Sequence, residues 1–192
     1  MKNNRNGQAA ILTDNDYSKI RKQIKSKKYK LLLDIAWYTG ERWGAIVKLQ
    51  LADVYNSDGT PRELINFRAR TRKATPDGKR KTRQVPVHGV LSECLSSYQP
   101  SESTWLFPDR TGESPISLRW ADMILRHAVD QAGLSAKGIS THSTRRSFIT
   151  KLAKRGVSLS TIKKATGHTD LKVLSRYIEV TDDDVKEAIA TL

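Results

Sequence analysis

The stretch Thr-His-Ser-Thr-Arg-Arg-Ser-Phe-Ile-Thr-Lys-Leu-Ala-Lys-Arg-Gly, residues 141–156, carries the clearest structural signal in this sequence. Ser140 or Thr141 can cap a helix that runs to Gly156. His142 and Arg145 are three residues apart, so both side chains project from one face of that helix close to its start. Because a helix N-terminus favours an anion, the segment is a candidate phosphate-binding site.

The chain surrounding this segment is strongly basic. Its 192 residues include 34 Lys and Arg against 20 Asp and Glu, a net charge of +14. The positive charge is concentrated in three blocks, residues 19–30, 62–83 and 142–176, whereas residues 177–192 are acidic. This pattern excludes an acidic binding protein and favours a polyanionic partner, with nucleic acid first.

Several other classes of protein and site are excluded by what the sequence lacks. A single cysteine, Cys94, rules out a disulfide framework and a cysteine-based zinc site. Neither a membrane-length apolar run nor a secretory signal is visible, so we expect a cytoplasmic, nucleoid-associated protein without a membrane partner. The sequence has neither a glycine-rich phosphate loop nor a His-Glu-x-x-His motif, so we expect no metal and no other cofactor.

The hydrophobic pattern predicts a mainly α-helical domain with a small antiparallel β-sheet, an α+β fold. Thr13 and Asp16 have the spacing of a capping box at the start of the first helix. The predicted strands are residues 64–67 and 83–87, joined by a basic hairpin loop. The remaining helices are predicted at residues 29–38, 42–49, 89–98, 117–133, 141–156, 160–166, 171–177 and from residue 181.

Read together, the motifs form a family pattern. In chain order they are Thr39-Gly40-Glu41-Arg42, the basic hairpin ending in Val85-Pro86-Val87, His142-x-x-Arg145, Gly167-His168, and Tyr177 nine residues later. This order and spacing closely resembles the catalytic domain of the tyrosine recombinases, the phage-integrase family. The resemblance runs from about Leu12 to Leu192.

The resemblance implies a set of functional residues. The implied catalytic residues are Arg42, Lys73, His142, Arg145, His168 and the nucleophile Tyr177. The basic residues expected to contact DNA are Arg70, Arg72, Lys79, Arg80, Lys81, Arg83 and Arg146. The choice of catalytic lysine stays open because the hairpin loop is long: Lys73 fits best, Lys79 and Lys81 are alternatives, and Arg72 would be an unusual substitute.

Two residues beside the catalytic positions depart from the family pattern. Ala45 stands where the family often has an acid that holds the first arginine, so that support must come from elsewhere, with Glu41 and Asp53 as the candidates. Thr144 replaces the leucine that usually precedes the second arginine. Neither departure removes a reacting group.

The implied chemistry is DNA strand exchange without ATP or a metal. Tyr177 attacks a phosphodiester, the two arginines neutralise its developing charge, His142 acts as general base, and a hairpin lysine protonates the departing 5′-oxygen. A 3′-phosphotyrosyl link stores the bond energy until another 5′-hydroxyl attacks it. The implied function is site-specific recombination or integration; a type IB topoisomerase and a non-catalytic basic DNA-binding protein are the alternatives.

The resemblance also implies domain boundaries and partners. We expect a loose lead over residues 1–12, the catalytic domain over residues 13–180, and a C-terminal helix over residues 181–192 that is exchanged between subunits. The expected partners are a double-stranded recombination site, further copies of the chain in a tetramer, and accessory DNA-bending proteins. Most family members carry an additional N-terminal domain, so the chain is expected to be either a compact natural member, which Met1 favours, or a fragment.

Overall fold

The computed structural model describes residues 8–72, 78, 81–168, 174, 185–186 and 189–190, and divides into two compact units, Met1–Phe148 and Ile149–Leu192. The helices are α1 (Asp14–Gln23), α2 (Lys27–Thr39), α3 (Trp43–Ile46), α4 (Gly89–Ser96), α5 (Leu118–Gln131), α6 (Thr141–Lys154) and α7 (Leu159–Thr166). The strands are β1 (Leu64–Phe67) and β2 (Arg83–Pro86). The mainly helical α+β prediction is confirmed. No helix in the described part of the chain is long and apolar enough to cross a membrane.

The first two helices are joined by a polar contact inside an apolar interface. The predicted capping box opens α1: the Thr13 hydroxyl accepts from the Asp16 N–H, and the Asp16 carboxylate accepts from the Thr13 N–H. Tyr17 stacks on Trp37 at 4.6 Å between ring centroids and donates to the Asp34 carboxylate at 2.6 Å. The buried Asp34 is therefore satisfied, and α1 is fixed against α2.

The core of the first unit lies between the helices and one face of the hairpin. Leu33 and Ile35 of α2, Leu125 of α5 and Phe67 of β1 are almost completely buried. Each such side chain stabilises the fold by roughly 1.5–3 kcal/mol relative to an exposed position. The core thus holds α2 and the sheet together, the two elements that lead into the predicted catalytic positions.

The β-hairpin sets the direction of its basic side chains. The strands pair antiparallel, with Leu64 opposite Pro86 and Phe67 opposite Arg83. In β2 the side chains of Arg83 and Val85 are buried and the alternate positions are exposed. Because strand side chains alternate, this register turns Arg83 toward the interior.

The described part of the predicted loose lead, residues 8–12, is held against α6. The Leu12 N–H donates to Ser147 Oγ at 2.6 Å, and the Ala9 carbonyl accepts from Arg146 Nη1 at 2.7 Å. Leu12 is also buried. The prediction of a loose segment is wrong for these residues, because partners more than 130 positions away leave no local sequence pattern.

The second unit has a small apolar core of its own. Ile149, Ile162 and Leu174 form its buried cluster. Helix α7 begins at the Ser158 cap and ends at Gly167 in the left-handed conformation, within one residue of the prediction. The predicted helices over residues 171–177 and from residue 181 lie mostly outside the described residues.

The turn after α2 has space for a glycine only. Gly40 has φ 58°, and its N–H donates to the Ala36 carbonyl at 3.2 Å. A Cβ at this position would lie 2.5 Å from Cδ1 of Phe148. The Gly40 carbonyl accepts from Arg145 Nη1 at 2.8 Å, so the same turn holds a predicted catalytic side chain.

We predict that Gly40→Ala destabilises the protein by about 2–4 kcal/mol, from left-handed strain and overpacking against Phe148. Urea unfolding measures the loss. Gly59→Ala is the matched control, because Gly59 also has positive φ but nothing within 4 Å of its added Cβ. Equal losses in the two variants would contradict the steric account.

Candidate active site

Predicted site residues from three parts of the chain line a pocket of about 390 Å³ in the first unit. Arg42 comes from the turn before α3, Arg70 and Arg72 from the hairpin, and His142 and Arg145 from the first turns of α6. The pocket thus brings together five residues of the predicted site, all of them cationic or able to become so.

Arg42 stands at the start of α3 with an extended backbone, φ −69° and ψ 135°. Its side chain is partly exposed, and no hydrogen bond or ion pair links its guanidinium to another residue of the described chain. A permanently charged planar group with open donors can bind phosphate oxygens through two hydrogen bonds.

The start of α6 presents the histidine and the second arginine on one face. The Ser140 N–H donates to Ser143 Oγ at 3.0 Å, and the His142 N–H lies 3.4 Å from Ser140 Oγ. His142 is exposed, whereas Arg145 is buried to 4% exposure and is anchored on the Gly40 carbonyl. Both line the same pocket, as their spacing predicts.

A buried carboxylate, Glu41, lies at the centre of the arginine residues. Its Oε1 accepts from the Arg42 N–H at 2.8 Å and lies 3.9 Å from Arg145 Nη1. Its Oε2 is 2.7 Å from Arg83 Nη1 and 3.3 Å from Arg72 Nε. The Arg83–Glu41 contact is a hydrogen-bonded ion pair, whereas the Arg72–Glu41 contact is an ion pair without an aligned hydrogen bond.

The electrostatics of this cluster keep Glu41 ionised. Burial by itself would raise the pKa of Glu41, but the charges of Arg83 and Arg72 outweigh burial and hold the pKa below its usual range. The Arg42 N–H and the charge of Arg145 act in the same direction. The carboxylate is therefore an anion at neutral pH.

Neither of the two acids predicted to support Arg42 pairs with its guanidinium. Glu41 accepts only from the Arg42 backbone N–H, and its carboxylate pairs with other arginines. The Asp53 carboxylate accepts from the Gln50 N–H at 2.8 Å and pairs with Arg68 at 3.0 Å, so Asp53 stabilises the turn after α3.

The second departure from the family pattern, Thr144, also has a partner. The indole N–H of Trp43 donates to Thr144 Oγ1 at 3.1 Å, and both side chains are buried. This bond joins the residue after Arg42 to the residue before Arg145. A leucine could not accept it, so the threonine matches the tryptophan.

Two residues that were predicted to contact DNA are buried in the protein instead. Arg83 is buried, pairs with Glu41 and donates to the Thr39 carbonyl at 3.0 Å. Arg146 is buried and donates to the Ala9 carbonyl. Since these guanidiniums are bound to protein groups rather than presented to solvent, we withdraw both residues as phosphate contacts.

The other predicted residues are distributed over the hairpin and the second unit. Lys81 is exposed, and its carbonyl accepts from Arg72 Nη1 at 2.8 Å. His168 belongs to the second unit, where it is buried with Nδ1 2.6 Å from Thr166 Oγ1. The residues outside the described ranges are Lys73, Lys79, Arg80 and Tyr177. Among the candidates for the hairpin cation, Arg72 is the described one that lines the pocket.

Sequence reasoning missed several other residues of the pocket lining, and the exposed ones among them are Lys48 and Leu118. Lys48 is exposed, six positions after Arg42, where the chain leaves the short helix α3. Leu118 opens α5 and is 45% exposed despite its apolar side chain. The helical period predicts that Leu118 lies on the buried face of α5, so the sequence did not indicate its exposure.

The sequence of this chain is similar to those of known DNA-recombining proteins. The model of the Phage integrase family matches residues 10–184. The chain belongs to the phage integrase family. A tyrosine recombinase of Thermosipho africanus is 24% identical over 165 residues, covering 86% of this chain and 54% of that protein. The chain spans about half the length of the curated relatives it matches.

Solved structures of a recombinase and an integrase share the fold. The XerA recombinase crystal structure has a TM-score of 0.75 at 18% identity, covering 96% of this chain and 66% of that one. The Tn1549 transposon integrase in complex with transposon right end DNA has a TM-score of 0.74 at 16% identity, covering 97% and 67%. The predicted family and fold are thereby confirmed.

Proposed function

We propose that this chain is the catalytic part of a site-specific DNA recombinase that cuts and rejoins strands through a 3′-phosphotyrosyl intermediate. The observation that carries the proposal is the pocket that collects Arg42, His142 and Arg145 in a chain of the phage integrase family. The roles below follow from the chemistry of those side chains.

Arg42 and Arg145 bind the non-bridging oxygens of the scissile phosphate. Both are permanently charged donors that line one pocket, so they can stabilise the additional negative charge of a five-coordinate transition state. Arg145 is fixed by the Gly40 carbonyl before DNA arrives. This preorganisation lowers the reorganisation needed during the reaction.

His142 and a lysine of the hairpin are the proposed proton-transfer groups. His142 is the general base that assists the tyrosine, and its exposed position at the start of α6 leaves its ring accessible to substrate. Lys73 is the proposed general acid for the departing 5′-oxygen. Arg70 and Arg72 contact phosphate beside it, together with Lys79, Arg80 and Lys81. His168 is the proposed additional donor to the phosphate.

Tyr177 supplies the nucleophile. Its phenolate oxygen attacks phosphorus, the bond to the 5′-oxygen breaks, and that oxygen leaves as a hydroxyl after taking a proton from the general acid. A 5′-hydroxyl from another strand then attacks the phosphotyrosyl link, and Tyr177 regains its proton. The number of phosphodiester bonds is unchanged, so the exchange needs no ATP, and Arg42 and Arg145 supply the positive charge that a metal ion would otherwise provide.

DNA is the proposed substrate on two grounds. The chain carries a net charge of +14, and the Tn1549 integrase, which has the same fold, is described in complex with transposon DNA. Phosphate contacts give affinity without identifying the bases. We therefore propose a double-stranded recombination site and assign no sequence to it; accessory DNA-bending proteins stay a prediction.

A covalent-trap experiment tests the function. The protein is incubated with fragmented, nicked DNA from its own genomic neighbourhood, with chelator and without ATP, and the protein-linked fragments are sequenced after denaturation. We expect adducts at one recurring inverted repeat, because the nick lets the cleaved end diffuse away. Tyr177→Phe should abolish the adduct, whereas the control Tyr98→Phe, at a half-buried tyrosine, should keep it.

The other outcomes identify the competing functions. Adducts without a preferred sequence, combined with relaxation of any supercoiled plasmid, would instead indicate a type IB topoisomerase. DNA binding without any adduct in the wild-type protein would contradict an enzymatic role and leave a binding protein.

We also propose that residues 181–192 pack on a neighbouring copy of the chain in a tetramer on DNA. Val185 and Ile189 are four residues apart in helical conformation and are 47% and 64% exposed. Exposed apolar side chains at helical spacing form a stripe suited to a partner surface.

Deleting residues 181–192 should leave single copies bound to half-sites, because the segment proposed to connect the copies is lost. Native mass spectrometry of the protein–DNA complex measures the number of copies, with Lys186→Gln as a control that keeps the apolar stripe. A tetramer of unchanged abundance from the truncated protein would exclude the exchange.

A further inference from the structure

We propose that Glu41 is a positioning residue of the active site: its buried carboxylate fixes the pocket-facing guanidiniums of Arg72 and Arg145 at the angle that meets the scissile phosphate. The inference rests on the proposed function. It assigns a role to a side chain that forms no bond to DNA and transfers no proton.

Several elements of the fold meet at the Glu41 carboxylate. Glu41 contacts Arg83 on β2, Arg72 just after the short turn Ala69–Thr71 that follows β1, and Arg145 on α6. It also accepts from the backbone N–H of Arg42. One side chain with 1% exposure therefore links the strand, the hairpin and the two segments that carry the predicted arginines.

The contacts fall into an inner and an outer set. Arg83 is the inner partner, buried and held additionally by the Thr39 carbonyl, so it fixes the carboxylate from behind. Arg72 and Arg145 are the outer partners, and both line the pocket. Glu41 itself also lines it, so the carboxylate lies between the buried scaffold and the surface where DNA would bind.

The electrostatic balance of the pocket requires an anion at this point. Three guanidiniums lie within 4.0 Å of the one Glu41 carboxylate, and these like charges repel one another because they gather around the same group in a partly desolvated site. Among the described residues that line the pocket, Glu41 is the sole acid. Without its charge, the outer arginines would lose their common anionic partner, although each would still donate to a neutral carbonyl, that of Lys81 for Arg72 and that of Gly40 for Arg145.

The carboxylate therefore has two opposite effects on DNA. As a negative charge it weakens general attraction to phosphate, because it reduces the positive potential of the pocket. By holding the guanidiniums of Arg72 and Arg145 in place, it increases the rate of strand cleavage, because a misplacement of about 1 Å in a reacting geometry can cost roughly 10²-fold in rate. A residue that only held the fold together would not separate these two effects.

The test uses the full chain and a nicked DNA fragment recovered from the covalent-trap experiment. The variants are Glu41→Gln, the charge-keeping Glu41→Asp, and Glu102→Gln as a control at an exposed acid. For each, the dissociation constant for DNA, the single-turnover rate of adduct formation at saturating protein, and the melting temperature are measured.

We expect Glu41→Gln to form the adduct about 10²-fold more slowly at saturation, with DNA affinity unchanged or increased. Glu41→Asp should recover part of the rate, because it restores the charge at a shorter reach. Glu102→Gln should match the wild type in all three measurements. If Glu41→Gln does not fold, a slowed Glu41→Asp with wild-type affinity supports the proposal, and Glu41→Asp at the wild-type rate overturns it.

A folded Glu41→Gln that reacts at the wild-type rate would overturn the proposal. So would parallel losses of affinity, rate and melting temperature that Glu41→Asp does not relieve, because that pattern describes a scaffold residue. If the wild-type chain itself forms no adduct, the proposed function fails, and the role of Glu41 fails with it.

Discussion

The buried carboxylate of Glu41 is the constraint on which the arrangement of this site depends. A cluster of guanidiniums in a half-closed pocket repels itself, and the chain resolves that repulsion with a single anion that contacts Arg72, Arg83 and Arg145. Burial opposes ionisation of this carboxyl, but the arginines outweigh burial, so its pKa lies below the usual range. The same balance holds the cations in place for a phosphate.

A glycine turn, strand alternation and one buried hydrogen bond bring the elements of the fold to this carboxylate. Gly40 turns the chain sharply after α2, and its carbonyl holds Arg145. Strand alternation in β2 points Arg83 inward to meet Glu41. The Trp43–Thr144 hydrogen bond fixes the two arginine-bearing segments to each other. The same few contacts thus determine both the stability of the fold and the geometry of the site. A change in any of these contacts alters the positions of the side chains that line the pocket.

Local patterns in the sequence were sufficient for the helices, the hairpin and the capping box, because helical period, strand alternation and Thr13–Asp16 spacing are short-range signals. The spacing of His142 and Arg145 likewise predicted that they share a face. Side chains alternate between the two faces of β2, so Arg83 lies on the same face as the apolar Val85. This alternation could have predicted that Arg83 points inward. Sequence could not show that Glu41 pairs with Arg72, Arg83 and Arg145 while Asp53 pairs with Arg68, nor reveal the bond between Leu12 and Ser147, because long-range polar pairing has no period.

The most direct test of this account asks whether Arg42 acts by neutralising the scissile phosphate. Adduct formation by wild type and Arg42→Ala is compared on DNA with an ordinary scissile phosphodiester and with an uncharged methylphosphonate at the same position. We predict that Arg42→Ala loses on the order of 10²–10³-fold in rate on the phosphodiester and far less on the methylphosphonate. An equal loss on both substrates would contradict it, because the arginine would then serve something other than the phosphate charge.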